Sequence, residues 1–593
     1  MSKNKKKKLK NKSLDHSKIK GAKIILLAIF IIAILIRTYN DPTIPFHYDP
    51  GKNIVYSRAI LDTFPLFPQY NQYFNLGEYY EYQVLFPYIV ALLYKITGFS
   101  LVDLTSWSII IIGSLMAITV YLLSKEIFNN EIVALISAGL IALSKIQLLA
   151  YMNYYPQILG MTLLPIPFIF LIRYVKTYNK KYLIYISILT GAIILSSYIT
   201  GMVYVSILVL SLIIYSIIKK DLRYIYTLFS IITGTLLLVA FYILPILDRH
   251  GIKSFIIGIL NTIFAQKDIP FTNINLQDDV TVLKLFGFII VIALILIISC
   301  LLYLFDRKLE RIDFNKIKYE YILLFLLVSV PLILIESYKF RPILWVDRYI
   351  EFLDIALIIL VGYSIYFILD KIKNNNYLKN NNYLKNNYNI ISVLILILVF
   401  SYPIYETVKH QYRFGYWNTP SDLETLSWVD NNIPSESLFA APSGITSFWV
   451  SALGDVHVLG GESSQMLGGR FDGNNYSDTI INSPNIDEKM DLIRKFGVNY
   501  VYLTVRSDVH LLWRNDYNIE GLKIFDNPKY FEFIYKKQEP FSITYVIKVK
   551  ENLTPRYNVP KIDNGITILG YVISLVTLII MIVVIVYDKN YRQ

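Results

Sequence analysis

The chain has 593 residues, 55% of them hydrophobic, a formal net charge of +13 and a single cysteine. This composition excludes a soluble multidomain protein, because repeated runs of about 20 apolar residues are what helices need to cross the ~30 Å hydrocarbon core of a bilayer. The lone cysteine excludes an intrachain disulfide, and the six scattered histidines exclude a His/Cys metal cluster. The predicted fold class is a polytopic α-helical membrane protein.

The distribution of charge predicts the topology. Residues 1–20 form a lysine-rich tail that we expect in the cytoplasm, because basic residues beside a span stay on that side. A first span covers Gly21–Thr38, and the first external loop, residues 39–102, contains an apolar segment at Val84–Thr97 that is too short to cross. With this segment outside, every short basic loop lies on the side of the tail. The positive charge is thus explained by membrane orientation, and no nucleic-acid partner is expected.

The multi-span domain is predicted over residues 21–405. After the first loop, spans are expected at Asp103–Leu123, Ile132–Leu149, Ile158–Val175, Tyr182–Tyr198, Met202–Ile218, Ile225–Leu247, Val282–Phe305, Tyr319–Ile335, Tyr349–Leu369 and Ile390–Tyr405. An Asn-rich repeat at 374–388 has little apolar surface to bury and is predicted to be disordered. With the first and final spans, the total is about 12 transmembrane helices.

Residues 406–563 are predicted to fold as a small extracytoplasmic α/β domain. Ser421–Glu424 has the pattern of a capping box that opens one helix, and Ile486–Phe496 that of a second helix ended by Gly497. Residues 498–505 have the β-branched and aromatic composition of a strand. This alternation of helix and strand is typical of a small α/β fold.

The chain ends with another apolar run. Residues 564–593 are predicted to form the final transmembrane helix and a short cytoplasmic tail, so both termini are expected on the cytoplasmic side of the cell membrane. Asn475 and Asn552 each begin an N-x-S/T sequon, which is compatible with an extracytoplasmic position of the domain that precedes this helix.

Asp49 is the leading catalytic candidate. It lies in the sequence FHYDPGK at residues 46–52 and is predicted to cap a helix over Gly51–Phe64, with Pro50 in the first helical position. A carboxylate there is suited to take a proton from an acceptor hydroxyl while nearby cations hold an anionic leaving group. The alternative is that Asp49 serves only as a helix cap. The neighbouring candidate substrate-binding residues are His47, Lys52 and Arg58.

The order of these features resembles the GT-C class of membrane glycosyltransferases. An inward-anchored first helix precedes an external loop with an early acid, a stretch rich in proline and aromatic residues, and about ten further spans. The class includes oligosaccharyltransferases, protein mannosyltransferases and lipid-directed aminoarabinose transferases, which use polyprenyl-phosphate-linked sugar donors at the outer face of the membrane. The resemblance implies that Asp49 acts as the catalytic base or contributes to a metal site.

A second point of resemblance is the sequence WVDRY at residues 345–349, followed by IEFLDIALIILVGY. It looks like the stretch in oligosaccharyltransferases where an arginine just outside a late span contacts the phosphate of the donor. The resemblance implies that Arg348 binds the lipid phosphate, for which its planar guanidinium can donate two hydrogen bonds. The alternative for Arg348 is an anchor at the membrane interface.

The second external loop matches the class only in part. Oligosaccharyltransferases carry a metal-binding acid motif there, whereas this chain has Ala150–Pro156 followed by Gln157. The chain also lacks their WWDYG motif, so the resemblance argues against an oligosaccharyltransferase and leaves a divalent metal open. Tyr154, Tyr155 and, in the first loop, Glu78 are candidate substrate-binding residues. Weaker candidates are Glu81, Asp278, Asp279, Glu336 and Lys339.

The function predicted from these features is transfer of a sugar from a polyprenyl-phosphate-linked donor to an acceptor hydroxyl or amide at the outer membrane face. The expected partners are the lipid-linked donor, membrane lipid, and a glycan, lipid or protein acceptor. One alternative is a transporter or flippase of a lipid-linked sugar, which the scarcity of charged residues within the spans disfavours. The other is a non-catalytic membrane scaffold whose external domain binds a partner.

Overall fold

The computed structural model describes a defined part of the chain, to which all structural statements below refer. It comprises residues 21–38, 48–74, 76–80, 83–148, 154–263, 318–336, 346–374, 394, 397, 400, 401, 405, 419–442, 444–460, 473–506, 517–540, 542–557 and 564–590. The predicted span at Val282–Phe305, most of the span at Ile390–Tyr405 and most of the Asn-rich repeat lie outside the described residues.

The first part of the chain is almost entirely helical. Its helices are α1 (Ala22–Thr38), α2 (Tyr48–Thr63), α3 (Leu85–Thr97), α4 (Leu101–Phe128), α5 (Glu131–Ala142), α6 (Tyr155–Leu163), α7 (Pro165–Thr177), α8 (Lys181–Ser196), α9 (Tyr198–Lys219), α10 (Arg223–Leu238), α11 (Ala240–Ile263), α12 (Tyr319–Glu336) and α13 (Val346–Asn374). Between α2 and α3, a short antiparallel hairpin pairs β1 (Tyr70–Asn71) with β2 (Glu78–Tyr79).

The second part alternates helices with strands before a last helix. Its elements are α14 (Pro420–Asn432), β3 (Leu438–Ala440), α15 (Gly444–Gly454), β4 (His457–Val458), α16 (Gly473–Asn482), α17 (Ile486–Phe496), β5 (Tyr500–Arg506), α18 (Ile519–Lys523), β6 (Phe531–Glu539), β7 (Ser542–Val549) and α19 (Asn564–Asn590).

Several helices are long and apolar enough to cross a membrane. In the described part of the chain these are Leu101–Phe128, Tyr155–Thr177, Tyr198–Lys219, Arg348–Asp370 and Asn564–Val586. Shorter apolar helices are α3, α5, α8 and α12. A chain with this many apolar helices is a membrane protein, because the hydrocarbon core of a bilayer is the solvent in which long apolar helices are stable.

One predicted span is bent rather than straight. The stretch predicted as Ile225–Leu247 consists of α10 and the first part of α11, whose axes differ by 78°. The Ser574 hydroxyl of α19 fills the break: it accepts from the Phe241 backbone N–H at 3.1 Å and donates to the Leu237 carbonyl at 3.2 Å. A helix break is tolerated in an apolar medium when a side chain pairs the freed backbone groups. The bend therefore depends on a residue far away in the sequence.

A mixed five-stranded sheet lies at the centre of residues 419–557, with the strand order β4-β3-β5-β7-β6. β3 runs parallel to β4 and β5, whereas β7 pairs antiparallel with β5 and β6. The parallel pair β3 and β4 requires a crossover, and α15 provides it. Residues 419–557 therefore have the predicted mixture of helices and strands. We call them the α/β domain below.

Two helix ends in this domain test the sequence patterns. At the start of α14 the cap is Thr419, whose hydroxyl accepts from the Asp422 N–H at 3.2 Å while the Asp422 carboxylate accepts from the Thr419 N–H at 2.8 Å. The predicted box at Ser421–Glu424 was therefore wrong by two residues, because Ser421 instead bonds to Ser542 of β7. The end of α17 was predicted correctly: Gly497 has φ 74, the left-handed conformation that glycine adopts without strain.

The Ser574 contact gives a test of the bend. Replacing Ser574 with alanine is expected to lower the free energy of unfolding by about 1–3 kcal/mol, because a backbone N–H is left without an acceptor in an apolar setting. The matched control is Thr577→Ala on the same helix, since the Thr577 hydroxyl bonds to the Ile573 carbonyl of its own helix. Equilibrium unfolding in mixed detergent micelles measures both, and equal stability of the two variants would contradict the assignment.

Candidate active site

The helix that carries Asp49 is packed against the α/β domain. Because α2 begins at Tyr48, Asp49 lies within the first helical turn rather than at the predicted cap; its side chain is outside the described residues. Gly51 faces Trp449 of α15, and a Cβ atom at Gly51 would lie 3.2 Å from the indole ring. Lys52 is only 8% exposed, with its Nζ 5.8 Å from the centre of the Phe448 ring. The first turn of α2 is therefore fitted closely against α15.

On its other side α2 meets the helix bundle. It packs against α3 and α4 and reaches α6, the helix that starts at Tyr155. This places the turn containing Asp49 and the segment containing Tyr154 and Tyr155 on neighbouring elements. The two external loops predicted to contribute to the site are thus adjacent in the fold.

Arg348 lies beside the second of these loops. Its guanidinium carbon is 4.0 Å from the centre of the Tyr154 ring, a cation–π contact that fixes the plane of the guanidinium. The side-chain amide of Gln157 donates to the backbone carbonyl of Arg348 at 3.5 Å. Two candidates from the sequence, Arg348 and Tyr154, are therefore in direct contact. Tyr155 is 2% exposed and packs edge-on against Phe86, which fits a core residue better than the predicted substrate-binding residue.

Two buried acids next to Arg348 were missed by the sequence analysis. Glu351 and Asp354 follow Arg348 at intervals of three residues on α13, so Glu351 neighbours both Arg348 and Asp354 on the helix surface. Glu351 is 5% and Asp354 is 2% exposed. The expectation that the spans carry almost no buried charge was wrong here. The signal was available, because acids inside a predicted span are usually functional or paired.

The partners of these acids come from the segment after α5 and from the first turn of α6. The Gln157 amide donates to Glu351 Oε2 at 2.7 Å, and the Gln147 amide donates to Asp354 Oδ2 at 3.1 Å and to the Glu351 carbonyl at 2.9 Å. The Ser144 hydroxyl donates to Asp354 Oδ2 at 2.7 Å. This hydrogen-bonded group, Ser144, Gln147, Gln157, Glu351 and Asp354, is called the amide–acid cluster below. It joins the second loop to the start of α13.

The same cluster explains a correction to the fold. The predicted span at Ile132–Leu149 is interrupted, because α5 ends at Ala142. Ser144 lies at the break, where its hydroxyl donates to Asp354, and residues 145–148 are helical again. At this point buried side-chain hydrogen bonds replace the regular hydrogen bonding of the helix. In an apolar surrounding such bonds stabilise the fold only when each donor meets an acceptor.

Arg58 has a different environment from the predicted one. Its guanidinium donates to the carbonyl oxygens of Ser451 and Ala452 at 2.7 and 3.3 Å and forms an ion pair of 2.8 Å with Asp455. These partners engage both terminal nitrogens of the guanidinium. The structure therefore assigns Arg58 to the junction with the α/β domain.

The remaining candidates are only partly described. Glu78 lies in β2 opposite Asn71, and its side chain is outside the described residues. The other predicted residues whose side chains lie outside the described part are His47, Glu81, Asp278, Asp279, Glu336 and Lys339. Within the described part, no three His, Cys, Asp or Glu side chains converge as metal ligands would. Among the described side chains, which do not include that of Asp49, the donors present do not fit a metal site.

Near the end of α2, burial has the largest effect on the pKa of Asp62. Burial raises the pKa of the Asp62 carboxyl, whereas the Tyr73 hydroxyl, Arg58 and Gln72 act in the opposite direction. The Tyr73 hydroxyl donates to Asp62 Oδ2 at 3.2 Å, and the Gln72 amide donates to the same oxygen at 3.1 Å. Asp62 thus anchors the loop after α2 and is not directed at the candidate site.

The amide–acid cluster can be tested by truncation. Asp354→Ala is expected to lower the free energy of unfolding by about 2–3 kcal/mol, because the buried hydroxyl of Ser144 and amide of Gln147 lose their acceptor. Asp354→Asn is expected to lose less, since its amide oxygen still accepts one hydrogen bond. Ser364→Ala on the same helix is the control, because its hydroxyl bonds only locally, to Leu360. Equal unfolding midpoints for all three variants would refute the role of the cluster.

The chain resembles known proteins both in sequence and in fold. The profile of the dolichyl-phosphate-mannose-protein mannosyltransferase family matches residues 83–246. No curated protein sequence matches the chain significantly. The family match covers the bundle from α3 to the first part of α11, including the second loop but not Asp49 or Arg348.

Solved structures match nearly the whole chain at low sequence identity. The oligosaccharyltransferase AglB from Archaeoglobus fulgidus, in complex with an inhibitory peptide and a dolichol-phosphate, is 13% identical with a TM-score of 0.57, covering 91% of this chain and 75% of its own. ArnT from Cupriavidus metallidurans, bound to undecaprenyl phosphate, is 10% identical with a TM-score of 0.55, covering 89% and 98%. The mycobacterial arabinofuranosyltransferase AftD is 13% identical with a TM-score of 0.55, covering 90% and 40%.

All three solved proteins and the matching family are membrane glycosyltransferases of one structural class. The resemblance stated from the sequence is therefore confirmed: the chain has the fold of the GT-C glycosyltransferases.

Proposed function

We propose that this protein is an integral-membrane glycosyltransferase that moves a sugar from a polyprenyl-phosphate-linked donor to an acceptor hydroxyl or amide on the extracytoplasmic side. The observation that carries the proposal is the convergence of three elements in a GT-C fold. Helix α2, with Asp49 in its first turn, packs near α6, and the residue before α6, Tyr154, holds Arg348. The comparisons match glycosyltransferases and favour neither a transporter nor a scaffold.

Asp49 acts in the proposed reaction as base or as the group that orients the acceptor. The acceptor oxygen attacks the anomeric carbon of the donor sugar, and the bond between that carbon and the phosphate oxygen breaks. The proton of the acceptor hydroxyl passes to the Asp49 carboxylate, and the lipid phosphate leaves with the bonding electrons. Direct displacement of this kind inverts the configuration at the anomeric carbon.

Arg348 binds the phosphate that departs. Its guanidinium is held by the Tyr154 ring, and its helix is tied to the second loop by the amide–acid cluster, so the donor groups are oriented before the substrate arrives. A fixed cation stabilises the charge that develops on the leaving phosphate. Lys52 in the first turn of α2 supplies a second cation in this scheme. AglB and ArnT were solved with dolichol-phosphate and undecaprenyl phosphate, respectively, which supports a polyprenyl phosphate as the lipid.

The membrane arrangement that goes with this function follows the sequence analysis. The proposal places residues 406–563 and the first loop on the extracytoplasmic side, both termini in the cytoplasm, and about 12 helices across the cell membrane. His47, Glu78 and Tyr154 complete the proposed substrate contacts. The acceptor is a glycan, a lipid or a protein.

The role of Asp49 is tested by sugar transfer. Purified membranes receive a panel of radiolabelled polyprenyl-phosphate sugars, and Asp49→Asn is compared with the wild type. We expect the variant to lose transfer by about 100-fold or more, because a positioned general base typically contributes about 10²–10⁴-fold to the rate. The matched control is Asp103→Asn, because Asp103 also lies in the first turn of a helix but pairs only with Ser100. Wild-type rates in the Asp49 variant would refute the mechanism.

The role of Arg348 is tested by donor affinity. Arg348→Gln is expected to weaken binding of the polyprenyl phosphate by about 10-fold or more, since a hydrogen bond to a charged group contributes ~1.5–3 kcal/mol. Arg173→Gln is the control, because Arg173 pairs with Glu126 on the bundle and contacts none of the candidate residues. Calorimetric titration with the lipid phosphate measures both variants. An unchanged dissociation constant in Arg348→Gln would leave only the membrane-anchor role.

A further inference from the structure

Arg58 joins α2 to the C-terminal end of α15. Its guanidinium donates to the carbonyls of Ser451 and Ala452 at 2.7 and 3.3 Å, and the same group pairs with Asp455 at 2.8 Å. Both carbonyls belong to the last turn of α15, where backbone acceptors have no partner within the helix and carry the negative end of its dipole. An arginine from a segment 393 residues earlier thus supplies the missing donors of this helix end.

The opposite end of α2 is held by packing. Gly51, two turns before Arg58, lies so close to Trp449 that any side chain there would press on the indole. Trp449 and Phe448 are both buried, and Phe448 meets Phe74 of the first loop edge-on, with ring centres 4.7 Å apart. α2 is therefore fixed against α15 at two points along its length, one apolar and one charged.

The segment after the hairpin strand β1 extends the same junction. The Val458 N–H of β4 donates to the Tyr73 carbonyl at 3.0 Å, and the His457 Nδ1 lies 2.9 Å from the Gln72 carbonyl. Since β4 is the edge strand of the sheet in the α/β domain, the Val458 bond pairs a backbone group that an edge otherwise leaves unpaired, and the His457 side chain adds a second contact. The Arg58 guanidinium lies 5.6 Å from the centre of the Tyr73 ring, so the loop and the helix form one unit.

These contacts leave α2 little freedom of its own. The helix buries polar residues such as Asn53 and Ser57 as well as apolar ones, so no single apolar stripe sets its orientation in the bundle. Its direction is set by α15 of the α/β domain on one side and by α3 and α4 of the bundle on the other. The first turn of a short helix moves with the helix axis, so a change at Arg58 moves the residues at the other end.

We propose that the α/β domain, through α15 and β4, holds the catalytic helix α2 in its working position, with Arg58 as the positioning residue. The proposal rests on the function proposed above, in which Asp49 is the base. Arg58 does not touch substrate; it fixes the helix that carries Asp49. The domain is then an integral part of the active site.

The test compares Arg58→Gln, Arg58→Lys and Asp455→Asn in the full-length protein. Arg58→Gln is expected to lower kcat for sugar transfer about 10-fold or more while KM for the donor changes less than about twofold, because Arg348 stays in place. Arg58→Lys keeps the charge but cannot donate to two carbonyls in a fork, so an intermediate loss of kcat is expected. Asp455→Asn is expected to change kcat by less than about threefold, because Asp455 is half exposed.

Hydrogen exchange supplies the readout that separates positioning from simple destabilisation. In Arg58→Gln, exchange is expected to rise in α2 and α15 but not in α17, which lies elsewhere in the α/β domain. A uniform rise in all three helices, with kcat reduced in proportion to the unfolded fraction, would overturn the proposal. A raised donor KM at unchanged kcat would also overturn it, since Arg58 would then bind the phosphate.

The two proposals fail in different ways. If the wild type transfers no sugar from any donor, the proposed function fails, and hydrogen exchange alone decides whether Arg58 couples the domain to α2. If the wild type transfers sugar and Arg58→Gln does so at the same kcat, with unchanged exchange in α2, the positioning role fails while the glycosyltransferase stands.

Discussion

The fold depends on one constraint, that polar groups buried in an apolar bundle must find partners within the protein. Glu351 and Asp354 lie inside α13, where neither water nor lipid can satisfy their carboxylates. The amides of Gln147 and Gln157 and the hydroxyl of Ser144 meet that demand. In doing so they interrupt α5, set the start of α6 and bring the second loop against Arg348. The position of Arg348, the proposed phosphate ligand, therefore depends on the hydrogen bonds of Glu351 and Asp354 later in the same helix.

A second set of contacts fixes the other half of the site from outside the bundle. α2 is placed by α15 of the α/β domain, through close packing at Gly51 and the fork of Arg58 on two carbonyls. The bundle orients Arg348, whereas the α/β domain orients the helix of Asp49. A glycosyl transfer needs base and leaving-group ligand at a fixed separation, so both supports serve one geometry.

Local patterns predicted local features well and distant partners badly. The end of α17 at Gly497 was correct, because a left-handed glycine cap depends on a few adjacent residues. The capping box of α14 was displaced, since Ser421 is recruited by Ser542, 121 residues away. The span at Ile225–Leu247 was predicted without its bend, because the hydroxyl that pairs its broken backbone belongs to Ser574. Each error has the same origin, a hydrogen-bond partner from another part of the chain.

The sequence by itself determined the class of the protein, because bilayer thickness and the cost of unpaired backbone groups act on every apolar run independently of its neighbours. It also singled out Asp49 and Arg348, since an acid after the first span and an arginine before a late one are visible in one dimension. The tertiary structure decided the role of Arg58, the burial of Tyr155 and the existence of the amide–acid cluster. These depend on side chains that are distant in sequence, 194 and 210 residues apart in the cluster and 393 for Arg58 and Ser451, and only folding brings such groups together.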